Sequence, residues 1–145
     1  MRYQEGRIGR VFVARFEHGE DLLAELKSFA QKENVEEAVF YLLGALQQGG
    51  CVCGPSKSTL PPEPLWQEIK ESHELLGVGT IFQGDDKPLV HLHCAFGRGS
   101  HCMTGCLRGE SGVYLVVEAV IMELQGIKAK RVFDSSSGLT ILDFL

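Results

Sequence analysis

Two histidines and one cysteine have the residue types and the spacing of a metal site. His91 and His93 are separated by one residue inside the apolar run Leu89–Phe96, which is typical of a β-strand. Side chains alternate between the two faces of a strand, so both imidazoles are expected on one face. A hairpin turn centred on residues 98 and 99 would place Cys106 directly opposite His91, on that same face. Directly opposed Cβ atoms lie roughly 4.5–5.5 Å apart, so the three side chains can reach one ion.

Imidazole and thiolate are ligands suited to zinc or a similar divalent transition metal. Three protein ligands would leave the fourth tetrahedral position for water, a substrate or a neighbouring chain. The sequence therefore predicts a zinc site formed by His91, His93 and Cys106. The alternative is a pair of structural histidines beside a buried thiol. A register slip of one residue would turn Cys106 to the other face and would favour that alternative.

The cysteines of the chain, taken together, do not form the even-numbered pattern of a disulfide framework. The chain has five cysteines and no CxxC pair, which favours free thiols in a reducing compartment, and we expect a cytoplasmic protein. Cysteine is frequently buried as a small apolar residue, and this is the simplest interpretation for each one outside the predicted metal site. The cysteines concerned are Cys51, Cys53, Cys94 and Cys102.

Size and charge exclude several classes of protein. The chain has 145 residues, so we expect one domain spanning residues 1–145. Its composition, with 44% apolar and 23% charged residues, is that of a globular protein and excludes collagen, coiled coil and wholesale disorder. No apolar run approaches the roughly 18 residues of a membrane span, and the first ten residues carry charge without an apolar segment, so we expect no secretory signal. The net charge of -5 gives no general attraction for phosphate backbones or anionic lipid.

The elements that must position these side chains are mostly strands. Helical spacing of apolar residues predicts one long amphipathic helix over Glu20–Glu33. Residues 54–64, which hold four of the five prolines, are predicted as an exposed loop, and Leu65–Lys70 as one helical turn. The predicted strands are Arg10–Phe16, Val35–Leu46 (buried on both faces), Cys51–Cys53, His73–Phe82, Leu89–Phe96, His101–Leu107, Val113–Leu124, Lys130–Phe133 and Leu139–Leu142.

These elements predict an α+β fold. It would have a mainly antiparallel sheet of about seven strands, one long helix and a short second helix at Leu65–Lys70. His73–Phe82 and Leu89–Phe96 are expected to form a hairpin around the turn at residues 83–88. The metal ligands would thus lie on neighbouring strands of one sheet.

An ordered set of short motifs along the chain resembles the PPC domain, the plant and prokaryote domain. The resemblance covers roughly residues 8–144. Its motifs are Gly19-Glu-Asp-Leu22, Gly44-Ala45, His73-Glu-Leu-Leu-Gly-Val-Gly-Thr-Ile81, His91-Leu-His93, Thr104-Gly-Cys-Leu107 and Val117-Glu-Ala-Val-Ile121. The resemblance implies a homotrimer built on an antiparallel sheet. In free-standing prokaryotic members a third histidine completes the His-x-His metal site, and here Cys106 occupies that position.

Two acidic residues also match the family pattern and are candidate catalytic residues. Glu74 precedes the Leu-Leu-x-Gly strand, and Glu118 lies inside the late valine-rich strand. A carboxylate in such an apolar run is costly to bury unless it is paired. Glu118 could therefore be a trimer-contact or arginine-paired residue, with Arg98 and Arg108 as possible cations. Alternatively, it could orient a metal-bound histidine or take a proton from bound water.

Three classes of function remain open from the sequence. The family resemblance implies a DNA-associated or regulatory role, but Arg7-Ile-Gly-Arg10 lacks the proline of an AT-hook, so DNA contact is expected to be weak. A metal-dependent enzyme or small-molecule binder could use a zinc-bound water, although no motif identifies a substrate. The third class is a protein in which a structural zinc ion stabilises the homotrimer.

Overall fold

Ten strands and one helix make up the chain, and the computed structural model describes all 145 residues. The strands form one sheet with the order β1-β8-β2-β5-β6-β7-β3-β4, and β9 and β10 form a hairpin beside β5. The elements, in chain order, are β1 (Arg7–Glu17), α1 (Leu22–Lys32), β2 (Ala38–Leu46), β3 (Gly49–Pro55), β4 (Pro64–Ile69), β5 (His73–Gln83), β6 (Pro88–Arg98), β7 (His101–Arg108), β8 (Val113–Gln125), β9 (Ala129–Asp134) and β10 (Leu139–Phe144).

The mainly antiparallel sheet and the single long helix confirm part of the predicted fold, but the protein is more nearly all-β than predicted. The prediction of a short second helix is wrong, because Leu65–Lys70 falls largely within β4, which pairs antiparallel with β3. Ile69 is the only buried residue of that strand, so apolar spacing gives almost no signal there. Pairing with the neighbouring strand satisfies the backbone of β4 and overrides local helix propensity.

Helix α1 covers one face of the sheet and closes the core on that side. Its carboxylate cap, Asp21, accepts a hydrogen bond from the amide of Ala24 at 2.9 Å. The same side chain accepts from the hydroxyl of Ser111 at 3.0 Å, which ties the helix start to the loop before β8. The apolar stripe of the helix faces the sheet and consists of Leu22, Leu23, Leu26 and Ala30.

The opposite face of the sheet, which we call the open face, has no layer of this chain over its centre. In β2, Phe40 and Leu42 are buried against the helix side, whereas Tyr41 and Leu43 are 51% and 57% exposed. The prediction that this strand is buried on both faces is therefore wrong within one chain. Alternation along β5 and β6 also places His91 and His93 on the open face, because their neighbour Leu92 is fully buried on the other.

The hairpin predicted around the turn at residues 83–88 is confirmed, and a second hairpin joins β9 and β10. Strands β5 and β6 pair from Gln83↔Pro88 to Glu74↔Gly97. No helix of the chain is long and apolar enough to cross a membrane.

Candidate metal centre

Cys106 lies directly opposite His93, not His91 as the sequence predicted. The β6–β7 hairpin closes with Arg98 opposite His101, so its turn is centred on Gly99 and Ser100. Gly99 has a φ of 59°, a left-handed conformation that glycine adopts without strain. This turn position moves the cross-strand partner of Cys106 from His91 to His93, two residues along β6. Because side chains repeat every two residues along a strand, Cys106 remains on the face of the two histidines.

The three side chains come together closely enough to share an ion. The Nε2 atoms of His91 and His93 are 3.1 Å apart, and with the thiol sulfur of Cys106 the three donor atoms lie within 4.8 Å of one another. Tetrahedral zinc with bonds of about 2.0–2.3 Å separates its nitrogen and sulfur ligands by roughly 3.3–3.7 Å. Small rotations of the side chains would meet that geometry, so the donor set fits a zinc-type ion.

A glycine beside Cys106 allows β3 and β7 to approach each other. A Cβ atom on Gly105 would lie 2.4 Å from the carbonyl oxygen of Val52 and 2.6 Å from the sulfur of Cys51. Real side chains do not tolerate such distances, so only glycine fits between the two strands. The close pairing buries Cys106, which is 5% exposed, while His91 is half-buried and His93 is exposed.

The electrostatic surroundings favour the neutral forms of His91 and Cys106 when no cation is bound. Burial lowers the pKa of His91 to about 4, and the nearby charges of Arg131 and Arg108 act in the same direction. Burial also raises the pKa of the Cys106 thiol, although Arg108 partly opposes that change. A metal ion therefore meets a neutral imidazole at His91, and its binding to the cysteine would release the thiol proton.

Arg131 of β9 is a neighbour of the site that sequence analysis did not find. Its Nη2 donates hydrogen bonds to Thr80 Oγ1 at 3.0 Å and to Nδ1 of His91 at 3.2 Å. An acceptor at Nδ1 places the proton of neutral His91 on Nε2, from where it can be donated to His93. A metal bound at Nε2 would require the proton on Nδ1, so it would displace the guanidinium. Arg131 belongs to a later hairpin, and no local spacing links it to the histidines.

The two carboxylates predicted as catalytic lie on the open face, but the structure does not bring them to the metal ligands. Glu118 on β8 is exposed and stands opposite Arg15, with β2 and β5 between it and β6. Strands are spaced about 4.8 Å apart, which gives roughly 14 Å between Glu118 and β6. Glu74 pairs with Gly97, four residues along β6 from His93, a distance of about 13 Å.

The two arginines that the sequence suggested as partners of Glu118 do not pair with it. Arg98 forms an ion pair with Glu71, and Arg108 lines a cleft beside His91. The cross-strand neighbour of Glu118 is Arg15, whose ion-pair partner is Glu17.

The other cysteines form no disulfide. Burial raises the pKa of Cys51 and of Cys94 to about 12, so both remain neutral thiols at physiological pH. Their place in the core agrees with the interpretation as small apolar residues. Cys53 is half-buried, and Cys102 is exposed at the β6–β7 turn.

Comparison with known proteins gives one family and several similar folds. The family described as the Plants and Prokaryotes Conserved (PCC) domain matches residues 3–125. A metal-containing protein from Archaeoglobus fulgidus is 25% identical, with a TM-score of 0.86 over 100% of this chain and 99% of that one. A plant- and prokaryote-conserved protein from Pyrococcus horikoshii is 28% identical, with a TM-score of 0.85 over the same shares. A proposed DNA-binding protein from Ralstonia eutropha, 18% identical, has a TM-score of 0.77 over 92% of this chain and 90% of that one. No curated protein sequence matches.

Proposed function

This chain belongs to the Plants and Prokaryotes Conserved (PCC, or PPC) domain family, and on that premise we propose that it binds zinc and works as a homotrimer. The observation that carries the proposal is the convergence of His91, His93 and Cys106 on one face of the sheet, with donor atoms within 4.8 Å. A similar protein of nearly the same length is described as metal-containing, which agrees with this assignment. Free thiols throughout the chain suit a reducing compartment such as the cytoplasm.

The chemistry of the centre follows from its number of ligands. A zinc ion with three protein ligands keeps one position for a water, a small molecule or a group from a neighbouring subunit, and it polarises whatever occupies that position. His91 and His93 would supply neutral imidazole nitrogens, and Cys106 would supply a thiolate after it loses its proton. Arg131 would leave Nδ1 of His91 and remain beside the site as a hydrogen-bond donor.

The open face supports the proposal of self-association. Large apolar side chains on β1, β8, β2 and β5 lie next to one another across the sheet, and a monomer rarely exposes so continuous an apolar patch. These side chains are Val13, Val120, Tyr41, Leu43, Val78 and Leu76, each between 42% and 82% exposed. His93 lies in the same cross-strand row as Val78 and Tyr41, so a neighbouring subunit would approach the metal centre.

A regulatory role with weak DNA contact is the second part of the proposal. Its support is the family and two proteins of similar fold, from Ralstonia eutropha and Bacteroides thetaiotaomicron, that are described as proposed DNA-binding proteins. The net charge of -5 limits the attraction for DNA, and the chain has no AT-hook.

Metal content of the purified protein tests the assignment. Elemental analysis should find one zinc-type ion per chain in the wild type and much less in the variants His91→Ala and His93→Ala. His101→Ala is the matched control, because His101 is an exposed histidine of the next strand outside the cluster. Equal metal content in the wild type and in His91→Ala would show that His91 is not a ligand. The site would then be a pair of structural histidines beside a buried thiol.

A further inference from the structure

A cleft of about 490 Å³ opens beside His91, between the end of the β6–β7 hairpin and the β9–β10 hairpin. Its volume lies within the range of small-molecule sites, which is roughly 300–1,000 Å³. Apolar side chains form much of the wall, and two arginines, Arg108 and Arg131, also line it, whereas no acidic residue does. The apolar wall is formed by Leu89, Val90, Leu139, Ile141 and Leu142.

The two arginines carry positive charge that no carboxylate of the chain neutralises. Arg131 donates only to the neutral acceptors Thr80 and His91, and its buried Nε has no hydrogen-bond partner. Arg108 forms neither an ion pair nor a side-chain hydrogen bond. By contrast, four of the other five arginines are paired with an acid, and they are Arg2, Arg10, Arg15 and Arg98.

Two guanidinium groups that line one cleft with no acidic residue beside them repel each other, which costs free energy. The Nε atom of Arg131 is buried and has no partner, so water does not fully screen the charge of that guanidinium. An anion between the two groups would remove the repulsion. Arginine suits that role, because its planar fork binds carboxylate or phosphate through two parallel hydrogen bonds.

We propose that this cleft binds a small organic anion, with its carboxylate or phosphate group held by Arg108 and Arg131. The apolar part of the molecule lies against Leu139, Ile141 and Leu142 of the β9–β10 hairpin. Because the cleft reaches His91, the anion binds next to the proposed metal centre, but its recognition needs only the arginines and the apolar wall. The inference therefore goes beyond the proposed metal site and does not depend on it.

Calorimetric titration of the metal-free full chain with inorganic phosphate, phenyl phosphate and benzoate tests the proposal. Phenyl phosphate should bind once per chain and about tenfold more tightly than inorganic phosphate, because its ring is removed from water in the cleft. Arg108→Gln and Arg131→Gln should each weaken phenyl phosphate binding by at least about tenfold, since each removes a charge-assisted hydrogen bond. Arg7→Gln is the matched control, because Arg7 is exposed, lies outside the cleft and has no acidic partner.

Two further results decide between this proposal and simpler explanations. Equal affinity in the wild type, Arg7→Gln and both cleft variants would overturn it and indicate non-specific attraction to the surface. Absence of binding by the wild type would also overturn it. Arg108 is exposed, so Arg108→Gln should fold even if Arg131→Gln does not, and circular dichroism checks both. The titration uses metal-free protein, so failure of the metal assignment leaves this test intact.

Discussion

At the scale of single residues, Arg131 has the largest expected influence on the proposed metal centre. It donates to Nδ1 of His91, whereas histidines that bind metal usually donate from that atom to a carboxylate or a carbonyl oxygen. The guanidinium thus stabilises the tautomer that cannot bind zinc through Nε2, and it adds a positive charge next to the ion. Both effects oppose metal binding.

The first prediction follows from this opposition. Arg131→Gln should bind zinc several-fold to about tenfold more tightly than the wild type, because it removes a cation and provides a side-chain oxygen that can accept from Nδ1. Competition with a chromogenic zinc chelator measures the affinity. Arg7→Gln, which changes the net charge equally outside the site, should leave it unchanged. A weaker affinity in Arg131→Gln would contradict the proposed antagonism.

The second prediction concerns Cys106. Cys106→Ser should lower zinc affinity by at least about a hundredfold, because a neutral hydroxyl replaces a thiolate ligand. Cys106→His should retain an ion, since imidazole is also a zinc ligand and histidine stands at this position in the family pattern. Elemental analysis and chelator competition measure both variants. Cys102→Ser, at an exposed position outside the cluster, serves as the control. An equal loss of zinc affinity in Cys102→Ser and Cys106→Ser would refute the assignment of Cys106 as a ligand.

At the scale of elements, the start of α1 depends on a small polar network. Asp21 accepts from the amides of Ala24 and Ser111 and from the hydroxyl of Ser111, whose oxygen in turn accepts from the amide of Leu23. Ser111 is the only fully buried polar residue of the chain. Partial burial alone would raise the pKa of Asp21, but the hydrogen bonds outweigh it and lower the pKa below its ordinary value of 3.8.

The third prediction is that Asp21→Ala destabilises the fold in a pH-dependent way. Loss of the cap should cost about 1–2 kcal/mol at pH 7, as measured by denaturant unfolding. A carboxylate whose pKa is lowered by folding stabilises the protein above its unfolded pKa and loses that effect as the pH falls through the folded pKa. The difference between Asp21→Ala and the wild type should therefore shrink below about pH 4. Glu25→Ala, in the exposed first turn, should change stability far less; a cost equal to that of Asp21→Ala would contradict the capping role.

The elements also show why some features could be predicted and others could not. Alternation along a strand is a local rule, so the sequence alone predicts that His91 and His93 share a face. The predicted hairpin register was wrong by two residues, but a shift of two residues leaves a side chain on the same face, so the predicted face of Cys106 is correct. Strand β4 lacks alternation because it lies at the edge of the sheet with one buried residue. Arg131 reaches the site only through the packing of the β9–β10 hairpin against β5, and no local pattern encodes that packing.

At the scale of the whole molecule, the sheet has one face covered by α1 and one open face. The covered face completes a core of 22 buried residues, so the fold does not need a second layer for its interior. The open face nevertheless exposes a continuous apolar patch next to His93. In water such a patch favours association, and self-association of one chain generates closed symmetric assemblies.

The fourth prediction tests that assembly. The wild type should sediment as a particle with three times the 16.0 kDa mass of the chain, whereas Leu76→Asp should shift it to monomers by placing a charge in the centre of the open face. Leu60→Asp is the matched control, because Leu60 is equally apolar and 76% exposed in the loop before β4. A monomeric wild type at micromolar concentration would refute the homotrimer.

The fifth prediction concerns nucleic acid at the same scale. A homotrimer triples the charge of -5 that each chain carries, and no helix or arm with clustered basic residues is available to enter a groove. Phosphate contacts supply most of the non-specific affinity for DNA, and base contacts supply sequence specificity. Both the affinity and the specificity of this protein for DNA should therefore be small. We expect binding to duplex DNA no tighter than about the micromolar range, disappearing between low and physiological salt and independent of base sequence. Fluorescence anisotropy at two salt concentrations measures it. The comparison uses an AT-rich and a GC-rich duplex, and a nanomolar, sequence-dependent affinity at physiological salt would show that the protein reads DNA directly.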